Sequence, residues 1–322
     1  MAGRRRILVT RKLTDAVEAR LAELFDATLN SDDRRYTRAE VIAAAAGHDA
    51  ILLCTSEPLD AGAIAALPDR VKVVATLSVG TDHVDVAAAK ARGIAVLNTP
   101  GVLTDATADV GLLLLLGAMR RAREWYELAV SGGWQGFTPT LLLGVQMTGR
   151  RLGILGMGRI GRAVARRARA FGAEIHYHNR SRLPADQEAG ATYHADTDDL
   201  LKASQLLVLS APATDATRRF LDARRLALLP KGAIVVNIAR GDLVDDDALV
   251  AALQSGHIAC AGLDVHNGEP FRIDRRYWAM PNVFMTPHIG SATIEARDGM
   301  GMILVDGFVE LFAGRAPANR VV

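Results

Sequence analysis

The sequence predicts an α/β protein built on two parallel sheets, and three observations point there. At 322 residues the chain is longer than one ordinary α/β core and fits two domains. Residues 6–99 alternate short apolar runs with helix-like stretches, the pattern of a parallel sheet covered by helices. A second alternating series starts at Arg150 and repeats that pattern.

In the first series, "RILVT" (6–10) has the length and apolar character of a buried strand, and "DAVEARLAELF" (15–25) reads as a helix. "AILLC" (50–54), "VKVVATL" (71–77) and "IAVLNT" (94–99) are further strands, with alanine-rich helical pieces between them. From Thr104, a plausible N-cap, to Gly132 and Gly133, a stop signal, the pattern predicts one long helix with an apolar middle. That middle, "VGLLLLLGAM" (110–119), is about half a membrane span and is flanked by Asp109, Arg120 and Arg121, so it reads as a buried helix. The second series offers strands at "RLGILG", "AEIHYHN", "LLVLSA" (206–211), "AIVVNIA" (233–239) and "IACAGLDV" (258–265), separated by turn residues such as Pro184, Pro212 and Pro230. "RIGRAVARRARAFG" reads as a helix, and so does the stretch from Ser291 to Gly314, which is expected to cross back onto the first domain.

Composition narrows the function. The formal charge is only +2, and the basic runs "MRRARE" and "ARRARA" have the spacing of solvated helix faces, so neither nucleic acid nor a membrane is expected as a partner. The start "MAGRRRILVT" lacks an apolar stretch of signal-peptide length. Cys54 and Cys260 read as small core residues in strands, too few for a disulfide framework, which fits a reducing cytoplasm. His176 and His178 alternate on a strand, but no third ligand accompanies them and no metal site is expected.

The clearest chemical signal is "GMGRIG", with Gly156, Gly158 and Gly161 following an apolar strand and opening a helix. Gly156 permits a tight turn, Gly158 admits a pyrophosphate to the backbone, and Gly161 lets helix and strand pack closely. The helix-start amides then face the phosphates. About twenty residues on, where an acid usually holds the ribose, the chain has Asn179, Arg180, Ser181 and Arg182. An uncharged amide, two guanidinium groups and a hydroxyl suit a 2′-phosphate, which predicts NADP(H) in preference to NAD(H).

Three stretches at predicted strand ends, "VNIARGDLVD", "AGLDVHNGEP" and "FMTPHIGSAT", carry Arg240, Asp264, Glu269 and His288. An arginine, an imidazole and a carboxylate to orient it suit proton-coupled reduction of a 2-oxo acid. At these residues the chain resembles the D-isomer-specific 2-hydroxyacid dehydrogenases, most strongly their glyoxylate/hydroxypyruvate reductase branch, over nearly its whole length. "SVGTDHVD", "GILGMGRIGRAVARRARAFG", "NIARGDLVDDDAL" and "TPHIGSAT" carry the resemblance.

The resemblance implies two Rossmann-like domains with parallel sheets. The first is flavodoxin-like and discontinuous (1–101 plus 292–322) and binds substrate; the second (102–291) binds the dinucleotide. It implies that Arg240 binds the substrate carboxylate and carbonyl, that His288 is the general acid, and that Glu269 bonds the other imidazole nitrogen. Ser78, Val79 and Gly80 would form the loop that receives the carboxylate. Cofactor contacts would come from Thr107, Gly156, Gly158, Arg159, Ile160, Gly161, Asn179, Arg180, Ser181, Arg182, Pro212, Ile238, Ala239, Asp264, His288 and Gly290. A homodimer held partly by the long helix and the loop after it is implied as well. In that loop, Trp134 is present but Phe137 stands where the branch often carries a second tryptophan. The expected reaction is NADPH-dependent reduction of glyoxylate or hydroxypyruvate to the D-2-hydroxy acid. The alternatives are a reductase for a 2-ketogluconate-like or phenylpyruvate-like acid, and a nucleotide-sensing relative without turnover.

Overall fold

The computed structural model describes residues 3–322; the first two residues of the N-terminal stretch discussed above lie outside them. The chain divides into two compact units, Met1–Leu103 with Ala292–Val322, and Thr104–Ser291.

The first unit runs β1 (Arg6–Val9), α1 (Asp15–Leu24), β2 (Asp26–Thr28), α2 (Arg38–Ala44), β3 (Ala50–Leu53), α3 (Ala61–Ala66), β4 (Val73–Thr76), α4 (Val86–Ala91) and β5 (Ala95–Leu97). The five strands pair in parallel in the order β2-β1-β3-β4-β5. β3 and β4 are buried at every position, as strands covered on both faces must be.

The second unit opens with α5 (Thr104–Met119) and α6 (Ala122–Val130). The single long helix expected from the sequence is therefore broken. Arg121 adopts a left-handed backbone with φ 54°, and the carbonyl of Met119 accepts from the Val145 amide at 2.9 Å rather than continuing the helix ladder. Gly144 lies so close that a Cβ there would fall 2.3 Å from the Met119 oxygen. The returning segment takes the position the next helical turn would need. α5 buries most of its circumference, Leu112, Leu114 and Leu115 among the buried residues, and leaves one stripe of Asp105, Asp109 and Leu113 exposed.

The chain continues through β6 (Arg151–Leu155), α7 (Arg159–Ala170), β7 (Glu174–His178), α8 (Ala185–Glu188), β8 (Thr192–Tyr193), α9 (Thr197–Ala203), β9 (Leu206–Leu209), α10 (Ala223–Leu226), β10 (Ala233–Asn237), α11 (Asp246–Gln254), β11 (Ile258–Leu263), α12 (Arg276–Ala279) and β12 (Val283–Met285). Seven parallel strands follow the order β12-β11-β10-β9-β6-β7-β8. The order reverses at β6, so the glycine loop after β6 emerges at a topological switch point, where open α/β sheets take ligands. The basic face of α7 is more than solvated: Arg166 and Arg167 pair with Asp105 and Asp109 of α5. Cys260 is buried in β11, whereas Cys54 follows β3 and is only partly covered. Among the described residues no helix is long and apolar enough to cross a membrane.

The last helix, α13 (Ile294–Phe312), belongs to the first unit. Its Gly301 meets Val17 of α1, and its Phe308, fully buried, packs edge-on against Phe25 with ring centroids 6.0 Å apart. Truncating that ring leaves a cavity that the sheet cannot fill. Phe308→Ala should destabilise the first unit by about 3–5 kcal/mol, read as a lower urea midpoint for its unfolding.

Candidate active site

The sequence-predicted residues of the second unit's site lie in the segments that follow the C-terminal ends of strands, apart from Thr107 on α5 and Arg159, Ile160 and Gly161 in the first turn of α7. The β10 end is shaped by Asn237, which is buried; its Oδ1 accepts from the Ala239 amide at 3.0 Å and its Nδ2 donates to the Arg240 carbonyl at 2.7 Å. Gly241 then presses against the backbone of His266 and Asn267, with a Cβ position only 2.1 Å from the His266 carbonyl carbon. No side chain fits there. The segment carrying Arg240 and the segment leading to Glu269 are thereby held backbone to backbone.

Asp264 directly follows β11 and is 1% exposed. Its Oδ1 accepts from Thr286 Oγ1 and from the Ile289 amide, each at 2.7 Å, and its Oδ2 accepts from the Gly290 amide at 2.9 Å. Its carbonyl accepts from the His288 amide at 2.8 Å. Thr107 adds a bond from its hydroxyl to the Gly290 carbonyl at 2.9 Å. These bonds hold His288 in a left-handed conformation, φ 56°, which a residue with a Cβ adopts only when its surroundings demand it.

So placed, His288 meets Glu269: Nδ1 and Oε1 lie 2.5 Å apart. Glu269 Oε2 accepts from the His266 amide at 2.9 Å. Burial pushes the Glu269 carboxyl up, but the hydrogen bond and charge of His288, with the His266 amide, pull it further down, so it lies below its ordinary value. An ionised carboxylate only accepts, so Nδ1 carries a proton and Nε2 is the nitrogen left to face a ligand.

The glycine loop has a shape that suits a dinucleotide. Gly156 has φ 94° and lies against the Ala211 amide, 2.6 Å from its Cβ position. A Cβ on Gly161 would strike the Gly156 carbonyl oxygen at 2.4 Å, whereas one on Gly158 would meet nothing within 4 Å. The loop is thus tight on its protein side and open at Gly158. No side chain caps α7 there, and the first-turn residues Arg159 and Ile160 follow directly. The Asn179 side chain stiffens this turn, its Oδ1 accepting from the Met157 amide at 2.6 Å. Ile238 and Ala239 are buried, Ile238 against Gly111, and Pro212 is exposed.

Beyond β7, Arg180, Ser181 and Arg182 are all exposed. Arg182 behaves differently from the sequence expectation that both arginines serve a phosphate. Its fork is taken by Glu188, with Nε to Oε1 at 2.8 Å and Nη2 to Oε2 at 3.1 Å. Sequence reasoning missed Glu188 because an acid in a short helix carries no signal of its own. His176 and His178 turn toward His194, one to its Nε2 and the other to its carbonyl, each at 2.9 Å.

In the first unit the loop after β4 turns its carbonyls inward. Thr99 N–H donates to the Ser78 carbonyl, Asn98 Nδ2 to that of Val79, and Ser78 Oγ to that of Gly80, at 2.9, 2.7 and 2.6 Å. His83 Nε2 joins the cluster through Thr76 Oγ1 at 2.7 Å. The amides of Val79 and Gly80 donate to no acceptor among the described residues, and Val79 is 38% exposed. Two unpaired amides on a loop with its carbonyls tied back suit an anion. Asn98, which secures Val79, was not read from the sequence.

A further feature of the second unit is apolar and uncovered. Trp125 and Leu128 of α6 face Trp134, Phe137, Leu141 and Leu143 of the following loop, and Phe137 is 88% exposed.

Comparison with known proteins follows this geometry. Residues 112–290 match the family model described as D-isomer specific 2-hydroxyacid dehydrogenase, NAD binding domain. The chain is 42% identical to a glycerate dehydrogenase of Hyphomicrobium methylovorum, covering 97% of each chain. It is 41% identical to a glyoxylate reductase of Thermococcus kodakarensis, over 99% of this chain and 96% of that one. It superposes with TM-score 0.88 and 35% identity on an NADPH-dependent glyoxylate/hydroxypyruvate reductase of Sinorhizobium meliloti solved with NADP and malonate, covering 99% of this chain and 97% of the other.

The Asp264 bonds generate a local test. Asp264→Asn puts an NH2 where one oxygen now accepts, leaving a backbone donor of the loop without its partner. Amide exchange at Ile289 and Gly290 should speed up about 10- to 100-fold, the loss expected of one buried charge-assisted bond, while the amides of β7 keep their protection.

Proposed function

We propose NADPH-dependent reduction of glyoxylate or hydroxypyruvate to the D-2-hydroxy acid as the activity of this chain, which belongs to the D-isomer specific 2-hydroxyacid dehydrogenases, a family of oxidoreductases. The observation that carries the reading is the His288–Glu269 pair, 2.5 Å apart, on a loop held at its backbone by Asp264. The relatives named glyoxylate reductase and glycerate dehydrogenase support the substrate class, since both names describe small acids with oxygen at C2.

In this reading Arg240 binds the substrate carboxylate and carbonyl oxygen; its planar fork suits both, and its charge stabilises the oxygen as it becomes alkoxide-like. The unpaired amides of Val79 and Gly80, steadied by Ser78, are assigned to the substrate carboxylate. Reduced nicotinamide, when bound, supplies the hydride for the carbonyl carbon. His288 delivers a proton from Nε2 to the carbonyl oxygen and is left as a neutral ring whose Nδ1 keeps its proton and donates it in the hydrogen bond to Glu269. Glu269 therefore holds both the ring's angle and its tautomer.

The residues suited to hold the cofactor are the loop Gly156, Gly158 and Gly161 with the amides of Arg159 and Ile160 for the pyrophosphate. Thr107, Pro212, Ile238, Ala239, Asp264, His288 and Gly290 are assigned to the nicotinamide side. NADP(H) is preferred over NAD(H) because Asn179 leaves no negative charge at the ribose and Arg180 and Ser181 are exposed there. No metal is assigned. The exposed Phe137, a smaller ring than the tryptophan expected there, favours a second reading in which a longer 2-oxo acid, 2-ketogluconate-like or phenylpyruvate-like, is the substrate. The apolar face of 125–143 supports a homodimer in which a second copy covers it, since a monomer rarely exposes such a patch. Two free cysteines support residence in a reducing cytoplasm.

Turnover is tested by NADPH oxidation with a panel of 2-oxo acids. Glyoxylate or hydroxypyruvate should be reduced, and His288→Ala should lower kcat by about 10²- to 10⁴-fold. Tight cofactor binding without turnover on any 2-oxo acid would favour the nucleotide-sensing alternative. By light scattering the wild type should have twice the chain mass, and Trp134→Glu with Leu128→Glu should shift it toward the monomer; a monomeric wild type contradicts the dimer.

A further inference from the structure

We propose that Glu188 is a positioning residue that limits discrimination between NADPH and NADH by keeping Arg182 away from the 2′-phosphate. The inference rests on the cofactor reading above, and it starts from the surroundings of one carboxylate. Glu188 ends α8 and is 7% exposed. Its Oε1 accepts from the Tyr177 hydroxyl at 2.5 Å and from Arg182 Nε at 2.8 Å, and its Oε2 accepts from Arg182 Nη2 at 3.1 Å. Tyr177 is fully buried, and its oxygen also accepts from the Leu183 amide at 3.0 Å.

The guanidinium of Arg182 is thus turned toward Glu188, although its side chain stays 65% exposed. Its guanidinium carbon lies 5.9 Å from the Tyr193 ring, and the Tyr193 hydroxyl donates to the Asn179 carbonyl at 3.3 Å. α8 itself is anchored independently: Arg169 donates to the Glu188 carbonyl at 3.0 Å and Arg162 to Gln187 at 2.7 Å. Glu188 does not need Arg182 to stay in place.

The charges of Glu188 and Arg182 cancel. Arg180 makes no hydrogen bond or ion pair among the described residues, so the turn offers a phosphate one uncompensated guanidinium instead of two. A 2′-phosphate competing for Arg182 would have to draw it from the Glu188 carboxylate, which would keep only the Tyr177 hydroxyl as a side-chain donor. Arg182 and the Tyr177 hydroxyl hold the Glu188 carboxyl below its ordinary range, so it stays ionised at neutral pH. Replacing it by glutamine removes the competing charge and frees the fork of Arg182.

The test is direct binding, needing no turnover: NADPH and NADH titrated into the full chain, followed by nicotinamide fluorescence, with selectivity taken as the ratio of the two Kd values. Glu188→Gln should raise selectivity for NADPH about fivefold to tenfold, the worth of one added charge-assisted contact. Glu188→Gln with Arg182→Gln removes the pair together, leaves no buried ion unpaired, and should stay within about twofold of wild type. Arg180→Ala should lower selectivity about tenfold. The inference is overturned if Glu188→Gln leaves the ratio unchanged or lowers it, or if the double variant loses as much as Arg180→Ala does. Should Glu188→Gln alone not fold, the double variant decides. A wild type that favours NADH contradicts the cofactor preference, while the inference is read from how the ratio moves. A wild type that binds neither cofactor overturns both.

Discussion

The constraint on which the second unit's chemistry depends is the carboxylate of Asp264 at the end of β11. It is buried, and every bond it makes goes to the loop that follows β12. A buried carboxylate is tolerated when donors surround it, and here the donors belong to Thr286, Ile289 and Gly290. The loop cannot relax without leaving that charge unsatisfied. His288, inside it, is held with a backbone conformation that costs about 1–3 kcal/mol in ordinary surroundings. The position of the imidazole is therefore set by strand geometry rather than by the loop's own preference. Glu269, itself approached by the His266 amide, then fixes which nitrogen is engaged.

The nucleotide end shows the same economy with different groups. Asn179 does not simply lack a charge: its oxygen secures the Met157 amide inside the glycine loop, a bond an aspartate would also make. What the amide changes is the remaining group, which is no longer an anion. Next to it, the two arginines that look equivalent in sequence are both exposed, but Arg182 is paired with Glu188 and Arg180 is not. Charge counted along the chain and charge presented to a ligand differ here by one guanidinium.

Much of the fold was legible because its central strands are buried on both faces. β3, β4, β9 and β10 are apolar at nearly every position, and such runs stand out without any period. β2 and β8 were not read, since edge strands of three and two residues with exposed positions carry no pattern. The break between α5 and α6 was hidden because its cause is tertiary: the Val145 amide and Gly144 arrive from a distant segment. Arg240, Glu269 and His288 were legible as residue types at strand ends, together with the family resemblance. The bolt-like role of Asp264 and the capture of Arg182 by Glu188 were not, for each depends on which backbone or side chain folding brings to a carboxylate.

The most direct measurement of the central claim is the protonation of the His288 ring, followed by nitrogen-15 NMR on histidine-labelled protein through the pH range in which the ring becomes neutral. The account predicts that the neutral ring keeps its proton on Nδ1, facing Glu269, so that Nε2 is the nitrogen that gains and loses a proton. A neutral ring protonated on Nε2, with Nδ1 bare, would contradict it.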